Sequence, residues 1–352
     1  MQIYPLAESE KRGHEQIVFF SYPKVGLKAI VGIHNTTLGP ALGGCRMRAY
    51  DTEEQALDDV MRLSEGMTYK SSVAGLDLGG GKACIIADPK LSAGRKELFE
   101  KFGECVESLG GRYITAEDMG TSVSDMETVL TKTRHVTGKQ SGGGGDPSPW
   151  TALGVFLSMK AAMGFRHGSE DLAGKRVAVQ GIGHVGLHLM RHLAEAGAKL
   201  IVCDMNEKLV RQYAKQYGAD VVPPDAIYDV PCDIYSPCAI GQTVNAQTIP
   251  RLHCEIIAGA ANNQLSDKSV YKVLEKRGIL YCPDFVVNSG GVICVASELT
   301  GEPWSEQWVS DKVQGIHTTC KQILTEADRS KQPTETVAID IAKRRIAAKA
   351  AA

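Results

Sequence analysis

A chain of 352 residues, with 39 basic side chains against 41 acidic ones and a formal charge of −2, is long enough for two domains. It is too evenly charged to hold nucleic acid on a concentrated basic surface, so no nucleic-acid partner is expected. No apolar run reaches the roughly 20 residues that cross a bilayer, and residues 1–10 lack the basic-then-apolar order of a signal peptide, so the expectation is a cytoplasmic protein without a membrane partner. Ten cysteines stand at irregular intervals without a Cys-x-x-Cys pair and read as reduced, buried thiols. His184, His188 and His192 share one helix face with no acid among them in metalloprotease order, and no metal is expected.

In chain order, residues 28–34 suit a strand, and Thr52-Glu53-Glu54-Gln55 is a capping-box pattern. The helix it opens turns Leu57, Val60, Met61 and Leu63 inward and runs towards Gly66, which leaves Lys70 just beyond its end. A strand at 83–87 puts Lys82 at its leading edge, immediately behind Gly79, Gly80 and Gly81. Backbone without side chains lets a ligand come close and strips water from the ammonium, which disfavours the charged form. Lys82 is therefore a candidate base, and the better-hydrated Lys70 a candidate binder of a carboxylate. Residues 95–109 carry Leu98, Phe99, Phe102, Cys105, Val106 and Leu109 on one helical stripe that Gly110 and Gly111 can end. The strand after it, 112–115, delivers Glu117 and Asp118 to a loop. Two lysines and an acid thus leave element ends, where α/β sheets expose functional groups.

At 141–149 the composition changes abruptly to four glycines followed by two prolines, the one stretch that reads as a linker or hinge. The expected division is residues 1–140, residues 141–330 and a terminal helix, 331–352, that packs back near the hinge. A helix-like run from Thr151 leads to a strand at 176–180, then Gly181-Ile182-Gly183-His184-Val185-Gly186, then a second strand ending at Asp204, 23 residues after Gly181. This is the full context of a dinucleotide fingerprint. Gly181 permits the tight turn, Gly183 lets backbone N–H groups approach the pyrophosphate, and Gly186 lets helix and strand pack closely. An acid at Asp204 can accept from both ribose hydroxyls and repels a 2′-phosphate, so NAD is favoured over NADP. The loops at Ser236-Pro237-Cys238-Ala239 and at 258–263, with Asn262 and Asn263, follow strand-like stretches and fall where an extended cofactor passes.

Bound NAD opposite Lys70, Lys82 and Asp118 would suit a substrate with a carboxylate and an α-amino group. Lys70 pairs the carboxylate, a neutral Lys82 serves as base and activates water, and Asp118 shuttles protons as an iminium becomes a 2-oxo acid and ammonia. Closing the two lobes at Gly142 to Gly145 would exclude bulk water. Two rivals remain: a 2-hydroxy acid dehydrogenase, which normally wants a histidine base and an arginine, and a non-catalytic NAD-binding sensor.

Several motifs in the same order resemble one family over nearly the whole chain. They are residues 37–46, with Gly43-Gly44-Cys45-Arg46, Gly66 to Lys70, Gly79 to Lys82, and residues 111–118, then residues 146–149, Gly181 to Gly186 and Asn288-Ser289-Gly290-Gly291-Val292. The chain resembles the leucine/phenylalanine/valine branch of the glutamate dehydrogenase-like amino acid dehydrogenases. The resemblance implies an α/β protein of two domains, an N-terminal substrate and oligomerisation domain and a Rossmann-type NAD domain, with a cleft between them. It implies Lys70 on the substrate carboxylate, Lys82 and Asp118 as catalytic, and Gly43 and Gly44 as the place where substrate approaches backbone. Thr151, Asn288 and either Asn262 or Asn263 become cofactor or substrate contacts, and a homo-oligomer is implied. Leu42, Ala116, Val292 and Val295 correspond to the aliphatic lining of the leucine-type pocket, which favours a branched side chain. Cys294, Ser297, Trp150 and the glycine run depart from that pattern and leave phenylalanine or tryptophan open.

Overall fold

The computed structural model describes residues 5–138, 144–267, 269–300 and 304–352. Two compact units divide the chain: Met1–Gly145, Val295–Ser305 and Ala342–Ala352 form the first, and Asp146–Cys294 with Glu306–Ile341 the second. These are not consecutive segments. Ser72 Oγ donates to Ala342 O (2.9 Å), and the Arg345 guanidinium reaches Leu76 O (2.6 Å) and Asp77 Oδ1 (2.7 Å), so the chain end belongs to the first unit through bonds that span some 270 positions. A terminal helix that packs back is the expectation from sequence, but composition does not say that its end joins the first unit. Of the glycine run read as a hinge, Gly142 and Gly143 lie outside the described residues.

The first unit runs α1 (Pro5–Arg12), β1 (Gln16–Tyr22), β2 (Leu27–Asn35), β3 (Ala41–Arg48), α2 (Glu53–Val73), β4 (Gly79–Ile86), α3 (Arg95–Glu107), β5 (Tyr113–Glu117) and α4 (Val123–Leu130). Its sheet has the order β1-β2-β4-β3-β5, with β2 antiparallel to β1 and β4, and β3 parallel to β4 and β5. On one face Ile30 and Cys84 meet Ala56, Leu57, Val60 and Met61 of α2; on the other Val31, Ala83 and Ile85 meet Leu98, Phe99 and Phe102 of α3. Burial on both faces is why β2 and β4 read as continuous apolar runs rather than alternating ones.

Helix α2 differs from the sequence expectation. The Thr52 side chain caps it by accepting from Gln55 N (3.2 Å), but it passes through Gly66 and ends at Val73, before Gly75 at φ +71°. Lys70 therefore lies in its last turn, not beyond it. An interior glycine costs a helix about 1 kcal/mol, which the burial of Thr68, Ser71, Ser72 and Val73 outweighs. A Cβ at Gly66 would meet nothing within 4 Å. Gly66→Ala is accordingly expected to stabilise the protein by about 0.5–1 kcal/mol in urea titration.

The second unit begins with α5 (Ser148–His167), β6 (Arg176–Gln180), α6 (His184–Glu195), β7 (Lys199–Cys203), α7 (Glu207–Tyr217), β8 (Asp220–Val221), β9 (Ile234–Pro237) and β10 (Ile256–Ile257). It continues through α8 (Val270–Lys276), β11 (Leu280–Tyr281), α9 (Asp284–Val287), α10 (Gly290–Ala296), α11 (Glu306–Ser330) and α12 (Thr334–Ala350), the last residues of α10 and α12 being assigned to the first unit. Six parallel strands lie in the order β11-β10-β9-β6-β7-β8. This is the doubly wound order of dinucleotide-binding sheets. It reverses direction between β6 and β9, so the turn after β6, Gly181 onward, and the loop after β9, Cys238 onward, flank the switch point where such sheets bind ligands.

Candidate active site

Lys82 is not at the leading edge of its strand, which begins at Gly79. It lies within β4, next to Gly32 of β2, and is only 6% exposed. Its Nζ stands 2.6 Å from Oδ2 of Asp118, the residue after β5. The glycines that precede it serve packing. A Cβ on Gly80 would lie 2.0 Å from Thr68 N, and one on Gly81 would lie 2.7 Å from the Tyr113 ring. Gly80 thus lets the backbone of α2 rest on β4, and Lys70 and Lys82 each follow that contact by two residues. A Cβ on Gly43 would lie 1.6 Å from Gly81 O, and one on Gly44 2.6 Å from Glu117 O. Those glycines are required by neighbouring backbone, whatever else approaches them.

One residue at this site was quoted from the sequence without a role. Arg46 Nε donates to the same Asp118 Oδ2 at 3.1 Å, and its Nη1 donates to Asp59 Oδ2 at 2.9 Å. Asp59 lies buried in α2 and also accepts from Arg62 (2.6 Å) and Tyr50 Oη (2.8 Å). An acid within the inward stripe of Ala56, Leu57 and Val60 was the available signal, because a buried carboxylate demands a cation.

Burial alone would raise the Asp118 carboxyl, but the charges of Lys82 and Arg46, with hydrogen bonds from Lys82 and the Met119 backbone, bring it from 3.8 down to about 2. A native value below the unfolded one stabilises the protein at pH above about 4, and this contribution is lost as pH falls through 2. Its size is on the order of 2 kcal/mol. Asp118→Asn should lack that slope between pH 4 and 2, as read by urea unfolding at each pH.

In the second unit Gly181 adopts φ +92°, and a Cβ on Gly186 would lie 2.1 Å from Gly181 O, so both need to be glycine for the turn itself. Gly183, the residue before α6, has φ −64° and open space within 4 Å of a Cβ. His184 and Val185 then form the first turn of α6. Asp204, just past β7, accepts from Ile182 N and Asn206 N, both at 2.8 Å, so its carboxylate braces the glycine turn. Ala239 packs on Gly181, and Cys238 N donates to Gln180 O (2.7 Å). Buried Asn288 donates to Ala260 O (3.0 Å) and to Asn262 Oδ1 (2.8 Å), while Asn263 takes a left-handed turn at φ +51°. Thr151 Oγ1 donates to Pro147 O (3.0 Å) and lies against Gly291. His192, on the histidine stripe, stacks on Phe156 at 5.5 Å.

Of the expected pocket lining, Leu42 is closed off at 1% exposure, whereas Ala116, Val292 and Val295 keep accessible surface. Cys294 is buried.

Known proteins match this chain in sequence and in fold. The Glu/Leu/Phe/Val dehydrogenase dimerisation domain matches residues 14–135, and the Glutamate/Leucine/Phenylalanine/Valine dehydrogenase domain matches residues 142–206 and 202–352. A leucine dehydrogenase of Geobacillus stearothermophilus is 48% identical over 96% of this chain and 92% of its own. A phenylalanine dehydrogenase of Lysinibacillus sphaericus is 46% identical over 89% and 84%. The crystal structure of L-tryptophan dehydrogenase from Nostoc punctiforme superposes with a TM-score of 0.87 at 41% identity, covering 98% of this chain and 99% of that one. With doubly wound sheet, glycine turn and paired lysine and aspartate in place, this chain belongs to the glutamate/leucine/phenylalanine/valine dehydrogenase family and is an amino acid dehydrogenase.

Proposed function

We propose that the chain carries out the reversible NAD-dependent oxidative deamination of a branched-chain, leucine-like L-amino acid to its 2-oxo acid and ammonia, as a cytoplasmic homo-oligomer. The observation that carries this reading is the buried Lys82, paired at 2.6 Å with Asp118 on the unit that also holds Lys70. When bound, NAD supplies the acceptor for the hydride of the α-carbon. Lys70 holds the carboxylate. Lys82 gives up a proton to become the base, receives one from the attacking water, and leaves hydroxide to add to the iminium carbon. Asp118, ionised in the resting protein, takes and returns protons as the carbinolamine collapses and ammonia departs.

Three features support NAD. Gly183 has no neighbour that requires a glycine, so a pyrophosphate coming close to the backbone at the start of α6 gives it a reason. Asp204 is pinned by two backbone N–H groups with its charge beside the turn, where it accepts from ribose hydroxyls and repels a 2′-phosphate. Asn262, whose amide oxygen is held by Asn288, presents its NH₂ as a neutral donor, and it is the asparagine we assign to ligand contact. Thr151, Cys238, Ala239 and Asn288 complete the cofactor side of the proposal. Side-chain preference rests on Ala116, Val292 and Val295, which are small and aliphatic. Self-association rests on β1: Gln16–Tyr22 is an uncharged outer strand with Phe19 half-exposed, an edge that invites pairing with a second copy.

Initial rates of NADH formation with L-leucine, L-valine, L-phenylalanine and L-tryptophan test the reading. L-Leucine should exceed both aromatic amino acids in kcat/KM by about tenfold or more. Faster turnover of either aromatic substrate would reject the aliphatic pocket.

A further inference from the structure

Five charged groups alternate in sign across the first unit. Lys82 Nζ meets Asp118 Oδ2 (2.6 Å), Asp118 Oδ2 meets Arg46 Nε (3.1 Å), Arg46 Nη1 meets Asp59 Oδ2 (2.9 Å), and Asp59 Oδ1 meets Arg62 Nη2 (2.6 Å). The three central members are no more than a quarter exposed, and Arg62 at the outer end is half-exposed. Lys82 and Arg46 compete for a single oxygen. A lysine sharing its counter-ion with a guanidinium that cannot lose its proton is bound less tightly than one that holds the carboxylate alone, and it also feels the second positive charge.

We propose that Arg46, anchored by Asp59, is a positioning residue that shares the Asp118 carboxylate with Lys82 and so sets the pH dependence of turnover. The inference rests on the catalytic reading of Lys82 and Asp118 given above. Arg46 touches neither substrate nor cofactor in this account; it acts through Asp118. Its planar fork spans the two carboxylates, so the distance between β3 and α2 and the position of Asp118 are fixed by the same side chain. Titratable groups facing the chain of charges include Tyr50, which donates to Asp59 and lies 3.1 Å from Cys84 Sγ, the buried thiols of Cys45 and Cys84, and the buried Tyr113 hydroxyl, which feels Asp118. Burial raises the Tyr50 and Tyr113 hydroxyls and both thiols, which keeps these groups neutral at neutral and moderately alkaline pH.

An electrostatic role makes the two ends of Arg46 act in opposite directions. In Arg46→Gln, Lys82 becomes the one close counter-ion of Asp118 among the described residues. The ascending limb of kcat/KM against pH should move up by about one unit. In Asp59→Asn the guanidinium loses its second carboxylate and turns its full charge on Asp118. That limb should move down by a similar amount. The amino acid's own ionisation is common to all the proteins and cancels in the comparison. General loosening of the site would move both limbs the same way or only lower their height.

The experiment measures kcat/KM for L-leucine between pH 7 and pH 11 in the parent, R46Q and D59N enzymes, with a thermal melt of each and with K82A beside them. Opposite displacements support the proposal, and displacements that are absent or of one sign overturn it. If R46Q does not fold, D59N decides alone: a downward move supports Arg46, and an unmoved or raised limb rejects it. Turnover retained by K82A would remove the premise whatever Arg46 does, whereas an inactive K82A with unmoved profiles in the other two rejects Arg46 only.

Discussion

Lys82→Ala is expected to lose turnover by about 10³-fold or more while binding NAD as the parent does. General-base catalysis by a positioned side chain is worth about 10²–10⁴-fold, and the alanine variant also loses the electrostatic partner of Asp118. The fold should survive, because Asp118 keeps Arg46 as a counter-ion at 3.1 Å and is not left as an unpaired buried charge. In the proposed reading the glycine turn and Asp204 hold the cofactor, and they belong to the other unit; titration of NADH fluorescence measures that affinity directly. Lys82→Arg separates base from charge. An arginine can pair with Asp118 but does not deprotonate in a protein, so this variant should be as inactive as alanine. Substantial turnover in Lys82→Arg would show that the position supplies only a positive charge.

Gly80→Ala is the second large effect. The added methyl group would stand 2.0 Å from Thr68 N and 2.5 Å from Ser64 O, backbone atoms of α2 that cannot swing aside as the end of a side chain can. Relief requires moving α2 away from β4, across an interface that includes Val60, Met61 and Cys84. Overpacking of this kind costs about 1–3 kcal/mol, to be read as a lower denaturation midpoint. Activity should fall further than stability, since the shift separates Lys70 from Lys82 and a 1 Å error in a reacting geometry costs about 10²-fold. Normal kcat/KM in a folded Gly80→Ala enzyme would contradict a site built on the contact between these two elements.

The glycines show how far the sequence could be read. In the second unit Gly181 and Gly186 do what their spacing says, one adopting a positive φ and the other allowing the helix to close on the turn. Those roles are local: strand, turn and helix follow one another in the chain, so the pattern carries its own context. In the first unit the same residue type shows only part of its role. Gly79, Gly80 and Gly81 read as bare backbone that lets a ligand come close to Lys82, and they are strand residues whose missing side chains also make room for α2 and for Tyr113. The helix length was misread, since Gly66 weakens the helix locally while burial beyond it sustains four more buried positions. Strand β3, with Gly43, Gly44 and two arginines, has little intrinsic preference for extended structure. It is a strand because β4 and β5 flank it.

By itself the sequence singled out the two lysines and the aspartate as a candidate set, the glycine turn followed by an acid, and the apolar stripes that place helices on both faces of a sheet. Each is a property of neighbouring residues or of a regular period, and periodicity needs no partner to be visible. The tertiary structure alone decided that Lys82 is buried and paired, that Arg46 and Asp59 stand behind Asp118, and that the chain end returns to the first unit. Those facts depend on which segments distant in the chain are brought within a few ångströms. Short-range charge pairing and close backbone packing are both set by that distance, which no local pattern of residues encodes.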